Sequence, residues 1–433
     1  MARTETLTRL SLVWLQECMF PFFKKAVNSD FSQKVIETFV TRILLIGIGL
    51  VTSVIVARSL GPEGRGLYAV ALAVGAIGMQ FGNLGLHASN TYFVSRDRGL
   101  LPFLVSNTLL VSFACGGTGA LLAGLAFSFW PRFAPLQGHL LTLALISIPL
   151  GLAYLLFQNL LIGIQEVRVF NMIELLSKIL SVALIAAVIL FQWVTVESIF
   201  CSQLIALLAA FLWCLVHLGK KLSAWCWPSI ELLRSHLGYG FRSFLASFGA
   251  YLVLRLDLLL VQYILGAKQA GYYSIAGTMA DMVYLLPTVT GTILFPKLSA
   301  MTNNREKWEY VKKITALMGA VMMVICSLGA LFVKPLVMIL FGRPFLPAVP
   351  AFIWLMPGIV FWAISTFPLL YLQSSGMPRQ VIYIWGVLIS TNVTLNVLFL
   401  ETWGIVGAAV ISSATYLMSF LAFGAYAQKQ SHG

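Results

Sequence analysis

Leu60 to Ala71 reads L-G-P-E-G-R-G-L-Y-A-V-A, and Leu265 to Ala276 reads L-G-A-K-Q-A-G-Y-Y-S-I-A. The two stretches stand 205 residues apart and share Leu, Gly, Gly, Tyr and Ala at the same five places. Gly61, Gly66 and Tyr68 in the first copy answer to Gly266, Gly271 and Tyr273 in the second. A lone Leu-Gly pair would mean little, because glycine ends many helices. Five matches at the boundary between two long apolar runs, twice over, indicate a duplicated unit. A weaker echo pairs Gly163 with Gly376.

Outward from these stretches, apolar runs fall at about 38–58, 67–93, 100–130, 139–164, 169–192, 196–219, 237–265, 270–298, 314–341, 348–374, 381–400 and 404–427. Each run is about as long as a membrane-crossing helix, and none shows the alternation of a lipid-facing strand. The composition agrees: of 433 residues, 59% are hydrophobic and 10% are charged, against the roughly 45–50% and 25% of a soluble protein. The expectation is an all-α integral membrane protein of twelve spans. Little chain is left for a soluble catalytic domain, a nucleotide-binding cassette or a long external loop.

Six runs separate the two motif copies, so both enter the membrane in the same direction. That predicts parallel repeats around a central cavity. The expected units are a six-helix bundle over 35–220, a linker over 221–236 and a second bundle over 237–427. Residues 1–34 and 428–433 remain as end segments. Residues 1–34 carry Arg3, Arg9, Lys24, Lys25 and Lys34 around a broken apolar stretch, and are read as an amphipathic segment on anionic headgroups.

The formal charge of +13 is largely orientation charge. With both termini inside, about eighteen Lys and Arg fall on the inner side and about five on the outer side (Arg58, Arg65, Arg132, Lys268 and Arg343), a strong positive-inside bias. The cluster from Arg305 to Lys313 marks the clearest inner loop. Nucleic acid is not an expected partner. The six cysteines show no metal or disulfide spacing, and no phosphate loop, metal set or nucleophile triad is readable, so neither cofactor nor enzyme activity is expected.

The motifs also resemble a known family. V-A-R-S-L-G-P-E-G-R-G-L-Y-A-V-A-L (Val56 to Leu72), G-N-L-G-L (Gly82 to Leu86), D-L-L-L-V-Q-Y-I-L-G-x4-G-Y-Y (Asp257 to Tyr273) and L-F-P-K-L-S (Leu294 to Ser299) are similar to oligosaccharide flippases of the polysaccharide transporter type. Those belong to the multidrug/oligosaccharidyl-lipid/polysaccharide exporter superfamily. The resemblance covers residues 35 to 427. It implies movement of an undecaprenyl-diphosphate-linked oligosaccharide across a bacterial inner membrane, among membrane lipids and beside the polymerase and chain-length proteins of such a pathway.

Ionisable residues within spans are costly unless they face a cavity or a partner. Arg42, Lys178, Arg242 and Arg255 are the candidate cavity cations, since a diphosphate offers many acceptor oxygens to guanidinium and ammonium groups. Asp257, Asp281 and Glu174 are candidate coupling or structural partners. Glu174 and Lys178, spaced i, i+4, favour pairing with each other, and Arg255 and Asp281 share a depth of roughly 16 Å from the outer boundary. Arg42 and Arg242 could instead snorkel to the inner interface. Gln158, Tyr251, Tyr284 and Asn392 are among the polar span residues that suit a sugar path or simple helix packing. Pro287 and Pro357 are candidate kinks.

Three rivals share parts of this pattern. A lipid II flippase usually has fourteen spans. A cation-coupled multidrug exporter would carry amphipathic cations, which a cavity dominated by Arg and Lys would repel. A membrane glycan polymerase or glycosyltransferase would need a sizeable external loop, and the external connections here are short.

Overall fold

The computed structural model describes residues 30–222 and 224–431; the side chains of residues 30–36, 39, 235–240 and 242–243 are not among those described. The N-terminal segment up to residue 29 and the side chain of Arg242 therefore lie outside it. No strand occurs among the described residues. The helices are α1 (Asp30–Asn83), α2 (Leu86–Arg96), α3 (Leu101–Leu110), α4 (Gly116–Phe129), α5 (Gly138–Gly163), α6 (Val167–Leu190), α7 (Val196–Gly219), α8 (Ile230–Leu265), α9 (Ala267–Val283), α10 (Leu285–Ala300), α11 (Asn304–Leu340), α12 (Ala348–Ser374) and α13 (Gln380–Ser431).

Nine helices among the described residues are long and apolar enough to cross a membrane, or ten if the bent pair α9 and α10 forms one span. This differs from the expected twelve for a simple reason. α1 and α13, at 54 and 52 residues, are each twice the length of a span, and each is broken inside. The breaks are Gly61 (φ 67°, ψ −176°) and Gly404 (φ 60°, ψ −155°). Gly266, between α8 and α9, repeats the geometry of Gly61 with φ 85° and ψ 174°. That region of backbone space is essentially closed to any residue with a Cβ, so the repeated glycine is what turns one helix into the next.

The second motif glycine has a different use. A Cβ on Gly66 would lie 1.8 Å from the carbonyl oxygen of Ala267, and a Cβ on Gly271 would lie 1.8 Å from that of Pro62. The two motif copies therefore cross backbone to backbone and touch each other. Without a hydrophobic drive between helices in lipid, such close van der Waals approach is a main source of association.

Both helices that meet at this crossing are broken further along. α1 gives way to α2 at Leu84 (φ 48°) and Gly85 (φ 84°). α9 and α10 meet at Tyr284 with a bend of 41°. Pro287 explains the second break, since it cannot donate to the carbonyl of Val283. Pro357, the other candidate kink, lies within the continuous helix α12.

α8 starts at Ile230, with the Ser229 hydroxyl accepting from the Leu232 N–H, so helix begins well inside the stretch expected to be linker. The residues before it are pinned to α3. Asn107 donates to the Ser229 carbonyl (3.1 Å) and accepts from its N–H (2.8 Å), and Ser106 donates to the carbonyl of Cys226 (2.6 Å). At the same end Glu166 bridges Lys221 and His217, and the Lys221 ammonium holds that carboxyl below its ordinary pKa.

Candidate functional site

Two chambers open inside the molecule, and both are lined by Leu72 and Ala76 of α1. The chamber on the second-half side, about 280 Å³, is lined by Arg65, Tyr251, Arg255, Asp257, Thr278, Asp281 and Tyr416 among others. The one on the first-half side, about 330 Å³, carries Tyr154, Gln158, Glu174, Lys178, Ser181 and Gln203. Volumes near 300 Å³ lie at the lower end for ligand pockets.

Arg255 and Asp281 form the pair expected from their shared depth, with Nη2 donating to Oδ2 at 2.9 Å. Their side chains are 35% and 49% exposed although surrounded by protein, so the pair lies on the chamber wall and is not sealed in the packing. Asp257 differs. It is buried and accepts from Tyr273 Oη (2.5 Å), Ser412 Oγ (3.1 Å) and the Leu258 N–H (2.7 Å). Those bonds tie α8, α9 and α13 together, which makes Asp257 a structural knot and gives the repeat tyrosine Tyr273 its function. Tyr68, the other repeat tyrosine, lies under the Arg65 guanidinium at 5.8 Å.

The first-half charges are arranged differently from their sequence spacing. Glu174 does not pair with Lys178, four residues on; it accepts from Arg42 Nη1 at 2.9 Å. Arg168 bonds Glu37 at 3.0 Å beside it, so two ion pairs connect α1 to α6. Arg42 lines neither chamber, and its charge is spent on Glu174 and on the Phe170 ring, 5.6 Å away. Lys178 is left exposed to the first-half chamber with no hydrogen bond or ion pair among the described residues. The histidine at the end of the second run, His87, is held by Asn83 through Nδ1 (2.7 Å) and its backbone N–H (3.1 Å), a packing role.

Arg65, which its position in the sequence assigns to the outer surface, lies instead in the cavity wall. It is 6% exposed, donates to Thr278 Oγ1 at 3.2 Å, and has no partner for Nε. The sequence does carry a signal: Arg65 stands where the second motif copy has Ala270, so the charge breaks the repeat. With Arg65 included, the chamber walls carry Arg65, Lys178 and Arg255 against Glu174, Asp257 and Asp281. The wall is formally balanced, which replaces the expected excess of cations. Lys178 and the unpaired edge of Arg65 are what remain available to an anion.

One expected outcome follows from the Arg255 pair. Removing either partner strands the other in a membrane interior, so Arg255→Ala or Asp281→Ala should each lower the melting temperature of the purified protein. The cost is about 1–2 kcal/mol, between the exposed and buried limits. The double alanine variant should recover most of it. A double variant no more stable than the singles would show that the two charges act separately.

In its solved-structure relatives, the chain follows a multidrug resistance MATE family transporter of the MOP superfamily in its inward-facing conformation with a TM-score of 0.71 at 14% identity, over 92% of this chain and 98% of that one. It follows lipid II flippase MurJ in an inward closed conformation with a TM-score of 0.68 at 15% identity, over 90% and 86%. Fold and cavity thus define a multi-pass membrane transporter and not an enzyme. Residues 55–350 match the family described as polysaccharide biosynthesis protein, and the chain belongs to that family. It is 24% identical over 385 residues to the putative O-antigen transporter of Shigella flexneri, covering 84% of this chain and 90% of that protein. It is 22% identical over 226 residues to the probable low-salt glycan biosynthesis flippase Agl15 of Haloferax volcanii, covering 52% and 47%. The superfamily resemblance drawn from the motifs is upheld.

Proposed function

We propose that this protein moves a lipid-linked oligosaccharide, joined through a diphosphate to an undecaprenyl chain, from the inner to the outer leaflet of a bacterial inner membrane by alternating access. The observation that carries this reading is the chemical division of the cavity. One wall holds an unpaired ammonium, Lys178, among neutral hydrogen-bonding groups. Gln158 donates to Tyr154 Oη (2.7 Å) and Ser181 donates to Gln203 Oε1 (2.7 Å), leaving a carbonyl oxygen on Gln158 and amide donors on Gln203. Neighbouring donors and acceptors suit sugar hydroxyls, and the ammonium suits phosphate oxygens. The relatives named for O-antigen and glycan transport support the same cargo class. A multidrug exporter is disfavoured by Lys178 and Arg65, although the balanced walls weaken that argument.

The accompanying architecture is twelve crossings in two six-helix units, over 35–220 and 237–427. Counting α1 and α13 as two spans each and α9 with α10 as one supports that number. The mutual contact of the two motif copies supports the parallel repeat. Both termini and the 301–313 connection are assigned to the cytoplasm on the Lys and Arg distribution. The crossing of Gly66 and Gly271 then closes the outer side.

Purified protein in liposomes should redistribute a lipid-linked oligosaccharide between leaflets without forming glycosidic bonds. No redistribution, with new glycosidic product, would replace a transporter by a polymerase. In intact cells, Asn303→Cys should resist a membrane-impermeant maleimide while Lys268→Cys labels. The reverse pattern would invert the topology.

A further inference from the structure

Away from the cavity, the two halves of the chain also touch at the end marked by Gly61 and Gly266, through two contacts on exposed residues. Arg58 donates from Nε to the carbonyl oxygen of Leu340 at 2.8 Å and from Nη2 to that of Ile339. Those carbonyls belong to the last turn of α11, where a helix has no partners of its own and carries the negative end of its dipole. An arginine fork reaching both is a C-terminal cap supplied from the other half of the molecule. Elsewhere on the same end, Phe133 stacks on Tyr263 with ring centroids 6.4 Å apart and planes 11° from parallel.

These contacts are related by the repeat. Tyr263 stands 205 residues after Arg58, the offset of the two motif copies, and Phe133 stands 206 residues before Ile339. Each half thus extends one residue, three before its turning glycine, towards the end of a distant helix in the other half. The position has been kept and the chemistry has diverged, polar on one side and aromatic on the other.

We propose that Arg58 and Tyr263 are a matched pair of clasps that hold the outer side of the transporter shut, and that both must release for the cavity to open there. The proposal rests on the alternating-access part of the functional reading and on no particular cargo. It separates the two clasps by mechanism. Arg58 binds backbone, so no side-chain change on α11 can substitute for changing Arg58 itself. The aromatic clasp can be undone from either ring.

The test uses spin labels at Arg132→Cys and Lys268→Cys in a cysteine-less full chain in lipid nanodiscs, with inter-label distances measured by pulsed electron resonance. Arg58→Ala or Tyr263→Ala should each raise the long-distance population about three-fold, and the two together about ten-fold. Phe133→Ala should add nothing to Tyr263→Ala. Cysteines at Phe133 and Tyr263 joined by a short cleavable cross-linker should stop translocation, and cleavage should restore it. Gly271→Ala, which forces the nearby helix crossing apart, serves as the reference for an opened outer side. If Gly271→Ala lengthens the distance while the Arg58→Ala/Tyr263→Ala variant does not, the clasps are overturned and alternating access stands. If neither lengthens it, both fail.

Discussion

Replacing Lys178 with methionine is expected to reduce translocation of a lipid-linked oligosaccharide by about ten- to a hundred-fold, the worth of one charge-assisted hydrogen bond. The same change should leave the melting temperature unaltered or raise it. These opposite signs follow from the observation that Lys178 meets no carboxylate or carbonyl among the described residues. An ammonium kept without a partner inside a membrane protein is a cost to the fold, so removing it relieves the structure while depriving an anionic cargo of its anchor. Arg42→Met should behave in the opposite sense, losing stability first, because it strands Glu174. The measurements are leaflet redistribution in proteoliposomes and thermal unfolding of the same preparations. Normal transport by Lys178→Met would remove the diphosphate from the first-half chamber.

Gly271→Ala is expected to be the most damaging small substitution in the chain. Its new methyl would lie 1.8 Å from a backbone oxygen, where real Cβ contacts begin beyond 3.0 Å, and no side chain can move aside to relieve it. The two helices must separate by more than an ångström. At about 3 kcal/mol or more for overpacking that cannot relax, the closed crossing loses at least about a hundred-fold in population. Transport should fall at least as steeply as the closed state does, while the protein still inserts and folds, since other states do not need the crossing. Gly277→Ala is the control: it lies on the same helix, and a Cβ there meets nothing within 4 Å. Equal transport by Gly271→Ala and Gly277→Ala would show that closure at this end is not required.

The membrane class is legible in the sequence because lipid demands long apolar helices, and the repeat is legible because a turn at positive φ leaves only glycine. Gly61 and Gly266 are therefore readable as turning points. That Gly66 and Gly271 touch each other is not, because two motifs 205 residues apart carry no sign of mutual contact. Depth is equally readable, since a rise of 1.5 Å per residue sets Arg255 and Asp281 level from their chain positions alone. Rotation about the helix axis is not. Glu174 and Lys178 are neighbours on an isolated helix, yet Glu174 faces α1 and meets Arg42 there. Arg65 is hidden by the same limit: a basic residue beside a turn is ordinary at a membrane surface, and only packing shows that it points inward.

The broken helices have a further consequence. A straight rod that closes one end of a pore must open the other as it tilts, so the two ends move in strict opposition. The two central helices are jointed instead, at Leu84–Gly85 and at Tyr284, each a few turns beyond their crossing. Their far segments, Leu86–Arg96 and Leu285–Ala300, can fold inward while the crossing stays shut. Jointed walls permit an occluded intermediate, with both ends sealed around cargo, and let the enclosed space adapt to glycans of different length without a change at either seal.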